Sequence, residues 1–312
     1  MEGGYLERMV PLLWESSRPR MYPLCIAIAV VPGAIAFSEG LFDPVVFVME
    51  ALLCCALDAL VCWADDCGDS SHGVDGRGRV GPARPLQRGE LCLADLLAWC
   101  VILAIVACML GLALIARSYL GSGLPLWQPL LFVAIGAACL AAALLYTVGE
   151  RPYGYKGLGD LVGFVFFGPV AVCGGYFLYA HGLTLPVVVA SIAMGASNSA
   201  AINLQNVRDI ENDAVCGKRT TAVLLGFAAA RAYHALLVLA VVVALGCSLF
   251  LHGTSPARWV VFAASSIFLA GHAVAFLRVS GESGSISLDK LTRGLTWGVL
   301  SSACGFAVAM VA

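Results

Sequence analysis

Two short segments concentrate the groups able to do chemistry. DDCGDSSHGVD, Asp65 to Asp75, places Asp66 and Asp69 at i, i+3 and Asp65 and Asp69 at i, i+4, one face of a helix. Cys62 and Asp58 continue that face backwards. NVRDIENDAVCGKRT, Asn206 to Thr220, sets Asn206, Asp209 and Asp213 at i, i+3, i+7, and Asn198 extends the stripe. Carboxylates held this close repel and call for a counter-ion. Hard oxygen donors with open positions suit Mg²⁺, which commonly binds one or two carboxylates and a substrate phosphate. Arg77, Arg79, Lys218 and Arg219 follow the clusters and are suited to gripping phosphate oxygens. A lone DxxD is most often a solvated helix end. Two clusters, each trailed by basic residues, point instead to a site for metal and phosphate.

The elements that position these groups must cross a membrane. Of 312 residues, 60% are hydrophobic and 12% charged, half the charge of an ordinary soluble domain. A net charge of −2 gives no footprint for nucleic acid, and no segment suggests an obligate protein partner. Runs long enough to cross the hydrocarbon recur at 21–37, 44–64, 96–116, 129–148, 161–180, 185–202, 232–251, 259–277 and 295–312. Lipid offers no hydrogen bonds to bare backbone, so each predicts a helix. The expectation is an all-α, polytopic bundle of nine transmembrane helices, as one domain over 21–312 after a polar segment, 1–20.

Sixteen of the 18 Lys and Arg fall on one side of that arrangement, and only Arg117 and Arg258 on the other. The positive-inside rule then places the N-terminus in the cytoplasm, the C-terminus outside, and both carboxylate clusters on the cytoplasmic face of the cell membrane. Thirteen cysteines, mostly inside the runs and without a zinc-type CxxC pair, read as small packing residues. A phosphate site at the mouth of a membrane bundle suits a diphosphate head on a lipid tail, such as a polyprenyl diphosphate. Loss of diphosphate would leave an allylic cation, which aromatic faces stabilise. Tyr146, Tyr153, Tyr155, Phe164, Phe166 and Phe167 are the candidates.

With these residues in view, the chain resembles the UbiA superfamily of intramembrane prenyltransferases. Within it the chain is most similar to the branch acting on 1,4-dihydroxy-2-naphthoate in menaquinone biosynthesis. The resemblance rests on DDCGDSSHGVD with RVGPARPLQRGEL (79–91), on YTVGERPYGYKGLGDLVGFVFFG (146–168) and on NVRDIENDAVCGKRTTAVLLG (206–226), with WESSRP (14–19) ahead of them. It covers 14–226 in recognisable blocks, and the last three helices by hydropathy alone. It implies a UbiA-like fold and a Mg²⁺-dependent transfer of a polyprenyl chain to an aromatic acid, with loss of CO₂ and diphosphate, giving demethylmenaquinone.

By position, the resemblance implies that Asp66, Asp69, Asp209 and Asp213 hold the metal. Asp65, Asp75, Arg79, Asn206 and Arg219 bind substrate beside them. Lys218 and Arg151 hold diphosphate, and Tyr146 and Asp160 line the cavity between cation and acceptor. Arg151 or Lys156 supplies the partner of the acceptor carboxylate. Two positions depart from the family pattern, which has Asn where Cys62 and Asp65 stand. Other readings of the same residues are a 4-hydroxybenzoate acceptor, a catalytically weakened binding protein, or an ion-coupled transporter using Glu50, Asp58 and the Asp clusters.

Overall fold

In the computed structural model, residues 4–74, 81–150, 152–253, 255–279 and 285–311 are described. Among them, nine helices are long and apolar enough to span a bilayer. These are α2 (Tyr22–Ser38), α3 (Pro44–Ser71), α4 (Leu93–Tyr119), α5 (Trp127–Leu145), a continuous run α6–π–α7, α8 (Leu185–Arg208), α11 (Phe227–His252), α12 (Pro256–Leu277) and α13 (Ser285–Val311). The run comprises α6 (Gly159–Val165), a π-helical stretch Phe166–Cys173 and α7 (Gly174–Ala180). Three short α-helices, α1 (Tyr5–Ser16), α9 (Ile210–Val215) and α10 (Thr221–Leu225), and two 3₁₀ helices, Pro19–Met21 and Tyr153–Lys156, complete the described elements.

Local chemistry explains the starts. Asp43 caps α3, its Oδ1 accepting from Val45 N at 2.8 Å with Pro44 at the first helical position, where a missing N–H costs nothing. Ser255 with Pro256 opens α12 in the same way, and the Thr220 hydroxyl caps α10 by accepting from Val223 N. Helix α8 is the axis of the bundle and packs against α2, α6, the π stretch, α11 and α13. Helix α5 buries only Ala143 and stands at the periphery.

Two boundaries differ from those expected from sequence. Helix α3 continues past the apolar run 44–64 to Ser71, so Asp65, Asp66 and Asp69 ride on its last two turns, on the helix face that their spacing predicts; no left-handed residue follows before Gly73, whose φ is +72°. Helix α8 likewise carries through to Arg208, and α9 occupies what reads as loop. The polar-looking N-terminal segment also forms a helix, α1, with Met9 and Leu13 buried. Each of the thirteen cysteines is free.

Candidate active site

Helices α3 and α8, four spans apart in sequence, bring their acidic ends to one cavity of about 430 Å³. Asp65 and Asp69 line it from α3, and Asn206, Asp209, Asn212 and Asp213 from α8 and α9. Below this mouth the cavity is apolar, walled by Leu53, Leu57, Val61, Phe132, Cys139 and Val162 among others. It reaches Glu50, which is 19 residues before Asp69, about 28 Å at 1.5 Å per residue. One stripe of α3 follows it throughout: Glu50, Cys54, Asp58, Cys62, Asp65, Asp69. The acids therefore continue below the motif end. Glu50 is buried, and neither of its carboxylate oxygens has a hydrogen-bond partner among the described residues.

The π stretch shapes the opposite wall. Pro169 lacks an N–H and sits inside it, and the wider turn accommodates the lost bond. Phe166 and Phe167, consecutive in sequence, both line the cavity, as do Tyr146 and Tyr153. The two tyrosine rings meet edge-on at 5.4 Å. Burial, followed by the charges of Asp65 and Asp160, raises the Tyr146 phenol well above its usual range, so it remains protonated. Tyr155 and Phe164 do not line the cavity. Tyr155 instead donates from its hydroxyl to Asp69 Oδ1 at 2.7 Å.

Cations meet the acids of both clusters. Arg18 pairs with Asp65 and, at 3.0 Å, with Asp66. Arg84 pairs with Asp66 and reaches Asp65 at 3.4 Å. Lys218 Nζ lies 3.1 Å from both oxygens of Asp69 and 4.9 Å from the centre of the Tyr155 ring. Arg208 holds Asp209 through two bonds of 3.0 and 2.6 Å. Burial opposes the Lys218 charge, but Asp69, Asp65 and Asp213 outweigh it and raise its pKa. Burial and the neighbouring Arg18 lower the Arg84 guanidinium to about 9.

Sequence reasoning assigns Arg18, Arg84 and Arg208 only to the sidedness of the chain, and the fold brings all three into the site. Asn212, whose Nδ2 donates to Val74 O at 3.0 Å, is a further addition. A signal for it exists in the sequence, since it sits one residue before Asp213 in the second cluster.

The remaining candidates fall as follows. Asp66 is fully buried behind the cavity wall, between Arg18 and Arg84. Asp160 is buried outside that wall, beside the Thr221 and Tyr233 hydroxyls. Lys156 and Arg219 are exposed and do not line the cavity. Asp75, Arg77, Arg79 and Arg151 lie outside the described residues.

Asp213 is the titrating member. Burial, offset in part by Lys218 and reinforced by Asp209 and Asp69, pushes it up to about 7 from 3.8. A carboxyl with a raised folded-state pKa favours the protonated fold. Its contribution is complete below pH 3.8 and is lost as pH rises through about 7. Thermal unfolding of metal-free protein should therefore show stability falling across that window, and Asp213→Asn should remove this component. An unchanged slope in the variant would refute the assignment.

A second cavity, about 530 Å³, adjoins the first and shares Arg18, Arg84 and Arg208 with it. Arg20, Arg293, Trp14 and Trp297 also line it, together with Glu15 and four prolines. The site thus joins an acidic cluster suited to metal, a lipid-length apolar cavity and a basic, aromatic-lined recess.

The profile of the UbiA prenyltransferase family matches residues 26–294. The chain belongs to the UbiA prenyltransferase family. It is 37% identical over 237 residues to the 1,4-dihydroxy-2-naphthoate octaprenyltransferase of Escherichia coli, covering 74% of each chain. It is 35% identical over 275 residues to the enzyme of the same name from Haemophilus influenzae, covering 86% of each. A UbiA homolog from Archaeoglobus fulgidus, solved bound to DMAPP and Mg²⁺, shares the fold. Its TM-score is 0.56 at 18% identity, over 94% of this chain and 99% of that one. The chain is therefore a multi-pass membrane prenyltransferase, as its helices and motifs imply.

Proposed function

We propose that the protein transfers a polyprenyl group from polyprenyl diphosphate to 1,4-dihydroxy-2-naphthoate, with Mg²⁺, releasing diphosphate and CO₂ and giving the prenylated naphthalenediol, the reduced (quinol) form of demethylmenaquinone. The observation that carries this reading is the junction of the two cavities at Arg18, Arg84 and Arg208, the first two paired with Asp65 and Asp66. A lipid-length apolar cavity meets an arginine-rich aromatic recess across a carboxylate cluster. The names of the relatives at 35–37% identity support the acceptor.

Among the described residues no three His, Cys, Asp or Glu form a ready metal cage. The donors nonetheless fit Mg²⁺, which takes few protein ligands when phosphate oxygens supply the rest. Asp65 Oδ1 and Asp66 Oδ2 are buried without hydrogen-bond partners among the described residues. Asp66, Asp69, Asp209 and Asp213 would hold the ion, with Asp65 beside them. Bound there, Mg²⁺ would neutralise charge building on the departing diphosphate. Lys218 holds diphosphate oxygens with it. Asp65 stands where the family has Asn, and its extra charge is matched by Arg18.

The tail lies along the cavity towards Glu50, so the allylic carbon faces Tyr146, Tyr153, Phe166 and Phe167. Their rings stabilise positive charge and keep water away. Arg18 and Arg84 would bind the acceptor carboxylate in the basic recess and orient its ring. The allylic C–O bond breaks with its electron pair passing to diphosphate. A ring π-pair forms the new C–C bond, and electrons of the ring–carboxylate bond restore aromaticity as CO₂ leaves. The motif end faces the cytoplasm of a cell membrane, on the distribution of Lys and Arg.

The test is a liposome assay with Mg²⁺, radiolabelled polyprenyl diphosphate and dihydroxynaphthoate, with 4-hydroxybenzoate in parallel. Prenylated naphthol with stoichiometric CO₂, abolished by EDTA, is the expected result. Product from hydroxybenzoate alone would overturn the acceptor, and product from neither would overturn the activity.

A further inference from the structure

Helix α1 has three faces. Met9, Leu13 and Ser16 are buried, and the first two join a cluster that includes Leu60 and Trp63 of α3 and Leu96 and Cys100 of α4. Glu7, Arg8 and Glu15 form a charged side. Between them runs a stripe at i, i+4, i+8: Leu6, Val10 and Trp14, exposed by 59%, 59% and 57%. No described part of the fold covers Leu6 and Val10, while Trp14 meets the Tyr22 ring edge-on at 5.4 Å and borders the basic recess with its outer side exposed.

The position of the stripe identifies what does cover it. Tyr5 OH donates to Asp95 Oδ1 at 3.2 Å in the first turn of α4, and Leu93 and Leu97, two residues either side, are themselves exposed. Trp63 Nε1 donates to Leu13 O at 3.1 Å, tying the other end of α1 to α3. The stripe is thus continuous with the lipid-facing surface of α4 where that helix leaves the bilayer. A helix with one protein face, one charged face and one apolar stripe ending in Trp suits the interfacial zone, where aromatic rings bridge hydrocarbon and water.

We propose that α1 is an interfacial helix that lies in the leaflet surface at the motif end, with Leu6 and Val10 inserted among the lipid chains. It is followed directly by Ser17 and Arg18, and Arg18 has a left-handed backbone, φ +53°, with its guanidinium on Asp65 and Asp66. Lipid contact at α1 therefore helps to fix the seat of that arginine. The proposal needs only a membrane-spanning chain, not the acceptor assigned above.

The test is photolabelling in nanodiscs with a phospholipid carrying a diazirine near its glycerol, read by mass spectrometry of peptides. The expected result is label on 5–16 together with 93–101. Leu6→Glu with Val10→Glu should cut label on α1 at least fivefold while 93–101 keeps it. Met9→Ala, on the protein face, should leave label on both. Label on 93–101 with none on 5–16 of the wild type overturns the proposal, as does label on α1 that the double Glu variant leaves unchanged. If the double variant does not fold, Leu6→Ser alone is read by hydrogen exchange of 5–16. Exchange at least fivefold faster in nanodiscs is then expected, and an unchanged rate overturns the proposal.

Discussion

Asp69→Ala is expected to lower the rate of prenyl transfer by about 10²–10³-fold, the scale for loss of one preorganised electrostatic group. Lys218 Nζ, at 3.1 Å from both oxygens, and the Tyr155 hydroxyl, at 2.7 Å, converge on that carboxylate. Removing it leaves a buried ammonium without its nearest partner, which is costly in stability as well as in function. Lys218→Met separates the two effects. In the Asp69→Ala background it should recover much of the lost thermal stability, because no unpaired charge remains, while transfer stays low because the diphosphate has lost both groups. Full stability recovery with near-wild-type transfer in the double variant would sink the assigned role. So would Asp69→Ala within about tenfold of wild type at equal folded fraction.

The spacing of these residues is legible in the sequence, because helical periodicity alone puts Asp65, Asp66 and Asp69 on one side and Asn206, Asp209 and Asp213 on another. The number of spans follows from hydropathy, since each bare apolar run has only one way to satisfy its backbone in lipid. Pairing across distance is what the sequence hides. Nothing in the SSRPR run shows that Arg18 reaches Asp65 and Asp66, 47 and 48 residues on, nor that Arg84 completes the same cluster. Those contacts depend on how α1, α2 and α3 pack, and packing is not periodic. Lys156 and Asp160 show the converse. Both occur in a block that resembles the family, yet one is exposed and the other lies outside the cavity wall. The helix ends are obscured for a local reason. Charged residues in the last turns of α3 and α8 look like loop, although α3 meets no left-handed glycine until Gly73 and α8 is interrupted only at Asp209 before α9 resumes the helix.

Gly68→Ala is expected to be as damaging as loss of a carboxylate, although it adds one methyl group. Gly68 lies between Asp66 and Asp69, where α3 passes the turn after α5. A Cβ there would collide with the Thr147 carbonyl oxygen and meet its carbon at 2.6 Å. These are backbone atoms and have no rotamer with which to yield. Thr147 is itself fastened, its Oγ1 donating to Ala64 O at 3.1 Å. Relief must therefore come from α3 moving off the turn, which carries Asp65 and Asp69 away from Tyr146. Overpacking of this kind costs about 1–3 kcal/mol, and a shift near 1 Å at a reacting centre lowers rates about 10²-fold. Gly271→Ala on α12 is the control, since a Cβ there meets nothing within 4 Å and alanine is the better helix former. Thermal unfolding and transfer rate, measured on both variants, should fall together for Gly68→Ala and hold for Gly271→Ala. If the two variants behave alike, the motif glycine is not a spacer. The tight approach of α3 to the Tyr146–Thr147 turn would then not be what sets the distance between the carboxylates and the aromatic wall.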